Sequence, residues 1–155
     1  LRTVPGVSAD LRARALRLLA RREHTRQELA AKLGPHAESA EQINSLLDDL
    51  SASSLLSDER YAAMRIESRA ARLGNSRVVY ELRRKGVAQT VVSSAMACAE
   101  DELGRARRVW QKKFADRPRG DDDTAEFARQ ARFLAGRGFS ADTIRRLLRA
   151  NPDDE

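Results

Sequence analysis

The sequence predicts an all-α protein made of tandem three-helix repeats, and four observations carry that prediction. The composition is that of helices: Ala, Leu, Arg and Glu dominate, and β-branched residues are few. None of the four prolines (Pro5, Pro35, Pro118, Pro152) falls between residues 36 and 117, and no stretch alternates long enough to read as a strand. Capping residues and stop signals cut the chain into short helices. Residues 15–33 align without a gap with residues 130–148.

The first helix is expected from about Asp10 to Arg22, with Leu11, Ala15, Leu18 and Leu19 on one face. Thr25 caps the second, Glu28 completes a capping box, and Gly34-Pro35 stops it. Ser39 and Gln42 form a second box ahead of Ile43, Leu46, Leu47 and Leu50, the clearest amphipathic stripe in the chain. Ser57 caps a fourth helix that ends near Gly74, with Asp58 and Glu59 in the first turn where the helix dipole favours acids. Ser76 opens a fifth, which ends at Arg84-Lys85-Gly86. The sixth holds Val91, Val92, Ala95, Met96 and Ala99, and the seventh Leu103, Ala106, Trp110 and Phe114. Pro118 to Asp123 reads as a loop, Asp123 as the cap of an eighth helix with Phe127, Ala131 and Leu134, and Ser140 as the cap of a ninth with Ile144, Leu147 and Leu148.

The repeat rests on matched positions. Arg17 meets Arg132, Leu19 meets Leu134, Arg22 meets Arg137, Thr25 meets Ser140 and Leu29 meets Ile144. A weaker middle copy appears in Glu81-Leu82-x-x-Lys85, which resembles Glu28-Leu29-x-x-Lys32. Three units follow, over 10–55, 56–99 and 100–150, with tails at 1–9 and 151–155. Each unit alone buries too little surface, so the expectation is an elongated, curved array packed in series.

The 155 residues carry 29 Lys and Arg against 23 Asp and Glu, a net charge of +6, and 25 of those 29 bases are Arg. Arg makes flat, bidentate contacts with phosphates and carboxylates, so a nucleic acid or an acidic protein surface is the expected partner. No apolar run of ~18 residues could span a membrane, and no signal-peptide pattern follows Leu1. Cys98 stands alone, which excludes an internal disulfide and a cysteine-based zinc site, and reads as a small core residue. His24, at a helix junction, and His36, in a loop, lack metal-ligand spacing or a neighbouring nucleophile. Asp121-Asp122-Asp123 reads as a capped loop end, because three consecutive side chains cannot all face one ion. Gly136-Arg137-Gly138 lacks the strand and third glycine of a dinucleotide fingerprint. No enzyme, cofactor or metal is expected. Trp110 and Phe114 sit at helical spacing with charged flanks and read as core, not as a base-stacking platform.

Charge is segregated. Residues 36–59 hold six acids and no Lys or Arg. Residues 60–87 hold eight bases and two acids, Glu67 and Glu81. Arg65, Arg69 and Arg72 share one helix face at i, i+4, i+7. A further cluster comprises Arg132, Arg137, Arg145, Arg146 and Arg149.

Three stretches in order resemble a known family. They are Leu55-Leu56-Ser57-Asp58-Glu59-Arg60-Tyr61-Ala62 with Ser68-Arg69, then Glu81-Leu82-Arg83-Arg84-Lys85-Gly86-Val87, then Arg132-Phe133-Leu134-Ala135-Gly136-Arg137-Gly138-Phe139-Ser140 with Ile144. Together with Ala15–Leu33 they resemble the RecX regulatory proteins over residues 10–150. Two departures stand out: Gly136 where the family usually has Arg, and Leu73-Gly74-Asn75-Ser76 in place of a Gly-Pro turn. The resemblance implies a bacterial, cytoplasmic regulator that binds the RecA recombinase and its filament on single-stranded DNA. It would limit filament growth, ATP hydrolysis and strand exchange, and so restrain recombinational repair and the SOS response. The expected contacts, to RecA carboxylates or DNA phosphates, are Arg65, Arg69, Arg72, Arg77, Arg83, Arg84 and Lys85, assisted by Arg132, Arg137, Arg145 and Arg146. Leu55, Tyr61, Leu82, Phe133, Phe139 and Ile144 are expected in the core. Double-stranded DNA is a further expected partner, a membrane is not, and the chain is expected to be a monomer.

A second reading stays open. Short capped helices also suit a helix-turn-helix or architectural DNA-binding protein, with the helix after Ser76 as the reader. Val78, Val79 and Tyr80 at its start argue against base reading.

Overall fold

The computed structural model describes residues 5–115 and 124–149. Among them are nine α-helices, a short 3-10 turn at Gly34–His36, and no strand. The helices are α1 (Pro5–Arg21), α2 (Arg26–Leu33), α3 (Ala40–Ala52), α4 (Asp58–Ala70), α5 (Asn75–Arg84), α6 (Gln89–Ala97), α7 (Glu102–Phe114), α8 (Thr124–Gly136) and α9 (Ala141–Arg149). The expected Pro118–Asp123 loop, the Asp123 cap and the 151–155 tail lie outside the described residues, as do residues 1–4 of the expected N-terminal tail. Residues 5–9 of that tail are helical: α1 starts ahead of Asp10 at Pro5, whose fixed φ suits a first helical turn.

Local capping sets most of the helix starts. The hydroxyls of Thr25, Ser39, Ser57 and Ser140 accept from the backbone N–H of Glu28 (3.1 Å), Gln42 (3.1 Å), Arg60 (3.1 Å) and Thr143 (3.2 Å). The two expected capping boxes close differently from the motif. Gln42 accepts from the N–H of Glu38, and the Glu28 carboxylate turns to Arg22 and Lys85. The fourth helix stops at Ala70, short of Gly74, and the sixth at Ala97, short of Ala99.

The chain packs as two compact units, residues 1–64 with 82–92 and residues 65–81 with 93–155. In the first unit α2 packs on α1 and α3, and Leu11, Ala15, Leu29, Leu33, Leu47, Leu50 and Leu56 form the core. His24 and Thr25 are buried at the α1–α2 junction. Thr25 Oγ1 donates to the Lys85 carbonyl (2.7 Å), and the N–H of Arg26 donates to Asp58 Oδ1 (2.8 Å). Gly86 closes α5 at φ +85°, and a Cβ there would meet Gln27 Oε1 at 2.0 Å.

In the second unit α7 packs on α8 and α9 around Ala106, Leu134, Phe139, Ile144 and Leu148. Glu102 holds the start of α5: its carboxylate accepts from the Asn75 N–H (2.9 Å), Thr143 Oγ1 (2.6 Å) and Ser140 Oγ (3.1 Å). This long-range cap sets the α5 start at Asn75, one residue before the expected Ser76. Arg105 is buried beside it and donates to the Leu73 carbonyl (3.1 Å) and Asn75 Oδ1 (2.7 Å). The N–H of Gly74 donates to the Arg137 carbonyl (2.8 Å), and a Cβ on Gly74 would lie 2.3 Å from the Gly138 backbone. The glycine at position 74 therefore answers to a backbone approach.

Three expected core residues are placed otherwise. Leu55 is 42% exposed, because Ser54 takes a left-handed turn (φ 59°) that directs Leu56, only 3% exposed, into the core instead. Cys98 is exposed, since α6 ends one residue before it. Phe133 is half-buried at the edge of the second core. Tyr61, Leu82, Phe139 and Ile144 are buried, as is Phe114, while Trp110 packs partly buried and donates to Gln130 Oε1 (2.8 Å).

Candidate functional site, a set of cations

Internal partners sort the expected contact residues into two groups. In the first unit Lys85 lies 3.6 Å from the Glu28 carboxylate, which also pairs with Arg22 at 2.9 Å. Burial works against ionisation of Glu28, but these two cations hold its carboxyl below the usual range. Arg83 donates to the Val87 carbonyl (3.1 Å), and Arg84 is exposed.

In the second unit Arg69 makes two hydrogen bonds to Glu81, through Nε (3.1 Å) and Nη2 (2.8 Å). Arg77 lies 3.9 Å from the same carboxylate. The Arg69 hydrogen bonds are the main reason that Glu81 ionises below its ordinary value, with the charges of Arg65 and Arg77 adding to them. The expected three-Arg helix face is thus split: α4 ends at Ala70, so Arg72 lies in the turn beyond it; Arg69 is turned to Glu81, while exposed Arg72 has no ion-pair partner among the described residues. Arg145 pairs with Asp142 at 3.3 Å. Arg132 and Arg146 are exposed and, among the described residues, likewise have no ion-pair partner. The Arg137 guanidinium lies over the Phe133 ring, 5.0 Å from its centroid. On the helix considered as a DNA reader, Arg77, Arg83 and Lys85 all face internal partners, and Val78 is buried.

Arg72 and Arg137 do converge, on a groove of about 670 Å³ in the second unit. Arg108, Lys112 and Lys113 of α7 complete its cationic lining, and Ala71, Val109 and Phe133 supply its apolar part. Lys113 Nζ sits 4.6 Å from the Phe133 centroid. Arg108 is paired through both terminal nitrogens with the carboxylate of Glu100, which does not line the groove. The three α7 cations were not among the expected contacts. Their signal was present, since residues 105–113 hold five bases and no acid, but it lies inside a helix whose apolar stripe reads as core.

The chemistry of such a lining suits anions, through fixed charge. Among the described residues no group of His, Cys, Asp and Glu could hold a metal ion, and no helix is long and apolar enough to cross a membrane.

Comparison with known proteins places this architecture. Three family models match in series: the first three-helix domain of RecX at residues 12–50, the second at 57–96 and the third at 100–148. The regulatory protein RecX of Chromobacterium violaceum is 45% identical over 146 residues, covering 94% of this chain and 93% of that protein. The regulatory protein RecX of Leptothrix cholodnii is 46% identical over 141 residues, covering 90% and 88%. The crystal structure of RecX from Lactobacillus salivarius shares the fold with a TM-score of 0.84 at 20% identity, covering 94% of this chain and 97% of that one. Sequence, helix order and fold agree that this chain belongs to the RecX family, whose members are named as regulatory proteins and not as enzymes.

Proposed function

We propose that this chain binds the RecA recombinase and its filament on single-stranded DNA, and that it limits filament growth, ATP hydrolysis and strand exchange. The effect on the cell is a restraint on recombinational repair and the SOS response. The observation that carries this reading is the match of all three RecX domains, in order, along nearly the whole chain. The chemistry is compatible with it. A net charge of +6, mostly from Arg, suits acidic protein surfaces and phosphates. Binding to a polymer needs no catalytic group. Within the expected contact set Arg72, Arg132 and Arg146 are exposed and have no ion-pair partner among the described residues, so they stand to gain from a partner's charge.

The test is RecA ATP hydrolysis on single-stranded DNA, titrated with this protein. The expected result is a fall in rate at far less than one copy per RecA protomer. Inhibition that begins only when the DNA is coated would replace this reading with plain competition for phosphates.

A further inference from the structure

We propose that the cationic groove of the second unit is a binding site for the sugar–phosphate backbone of a nucleic-acid single strand. This names a site within the proposed function and shares with it only the premise that the chain meets single-stranded DNA. Among the described residues five cations line the groove and no carboxylate does. Arg72 and Lys112 are exposed and have no ion-pair partner among the described residues. Lys113 and Arg137 are seated over the Phe133 ring, at 4.6 and 5.0 Å from its centroid. That seating holds two cations in place before any ligand arrives and lowers the ordering cost of binding.

The apolar part selects the class of anion. Ala71, Val109 and Phe133 lie within the cationic lining, in a groove of about 670 Å³. A volume of that order takes a small-molecule-sized segment. A single strand presents anions at every repeat and, between them, base faces that stack on aromatic or guanidinium planes. A duplex keeps its base faces inside the stack, and an acidic peptide offers charge without flat apolar faces.

The test uses the full chain and a fluorescently labelled oligothymidylate, with anisotropy followed across a salt series. Arg72→Gln combined with Lys112→Gln should weaken binding about tenfold or more, as two charge-assisted contacts are lost. The slope of log affinity against log salt should fall by about 1.4, at about 0.7 per phosphate contact on a single strand. Neither side chain has an ion pair among the described residues, so the melting temperature should stay that of the parent. The paired control, Arg12→Gln with Arg17→Gln, removes two exposed cations of α1, which belong neither to the groove nor to the expected contacts, and should leave affinity within about twofold. Equal loss in both double variants would overturn the proposal, because it would mean diffuse attraction to a basic surface. Unchanged affinity in the groove variant would also overturn it. So would displacement of the oligonucleotide by polyglutamate at the same charge concentration as by unlabelled oligothymidylate. Failure of the parent protein to inhibit RecA would remove the proposed function and leave this site standing.

Discussion

His24 shows how one buried side chain makes stability depend on pH. It is buried between two helices, its Nδ1 3.0 Å from the Arg22 carbonyl and its Nε2 3.0 Å from Lys32 Nζ. The geometry fits a neutral ring that donates from Nδ1 and accepts from the ammonium at Nε2. Burial lowers its pKa below the ordinary 6.5; the hydrogen bond to Arg22 opposes that, and the Arg22 and Lys32 charges reinforce it. The sign follows directly. The unfolded chain takes up a proton first, so stability is complete above 6.5 and is lost as the pH falls below it. Urea unfolding of the parent should show stability dropping as the pH falls below 6.5, and His24→Gln should flatten that drop. An equally steep profile in the variant would assign the pH dependence elsewhere. Arg105 makes a related point without titrating: it is buried because Leu73 and Asn75 offer it acceptors, and an apolar replacement would orphan both.

The helices are joined by a device that occurs once in each unit. In the first, Asp58 at the start of α4 accepts from the first N–H of α2, and Gly86 at the end of α5 lies against Gln27. In the second, Glu102 at the start of α7 accepts from the first N–H of α5, and Gly138 after α8 lies against Arg77. Both glycines have positive φ, +85° and +88°, and a Cβ on either would overlap its neighbour, at 2.0 and 2.4 Å. Gly86→Ala and Gly138→Ala should each destabilise by about 1–3 kcal/mol, read as a lower urea midpoint at unchanged helical content. The same device explains what was legible beforehand. Thr25, Ser39, Ser57 and Ser140 act on N–H groups three residues away, so their caps can be read from a short window. Glu102 and Gly74 act across about 30 and about 60 residues, which no local pattern encodes. The cations show the same divide. Their clustering is visible in the sequence, but the pairing of Arg69 with Glu81 and the convergence of Arg72 with Lys112 depend on which helix faces turn together.

Across the whole molecule, the +6 charge divides into cations that serve the fold and cations left to meet something else. Arg26, Arg60, Arg69 and Arg108 pair with Asp48, Glu23, Glu81 and Glu100. Exposed pairs of this kind contribute little each to stability, but they remove the cation from the field a partner sees. Arg72, Arg132 and Arg146 lack such pairs among the described residues, so reversing them should act on partners and spare the fold. The triple variant Arg72→Glu, Arg132→Glu, Arg146→Glu changes the net charge by six units, from +6 to 0. It should keep a melting temperature near that of the parent and should need at least about tenfold more protein to inhibit RecA ATP hydrolysis. Arg69→Glu is the counterpart: it sets a second carboxylate against Glu81 and should lower the melting temperature, with a smaller effect on inhibition. If the triple variant inhibits like the parent while Arg69→Glu abolishes inhibition at an unchanged melting temperature, the contact surface lies on the paired cations and the division drawn from their geometry is wrong.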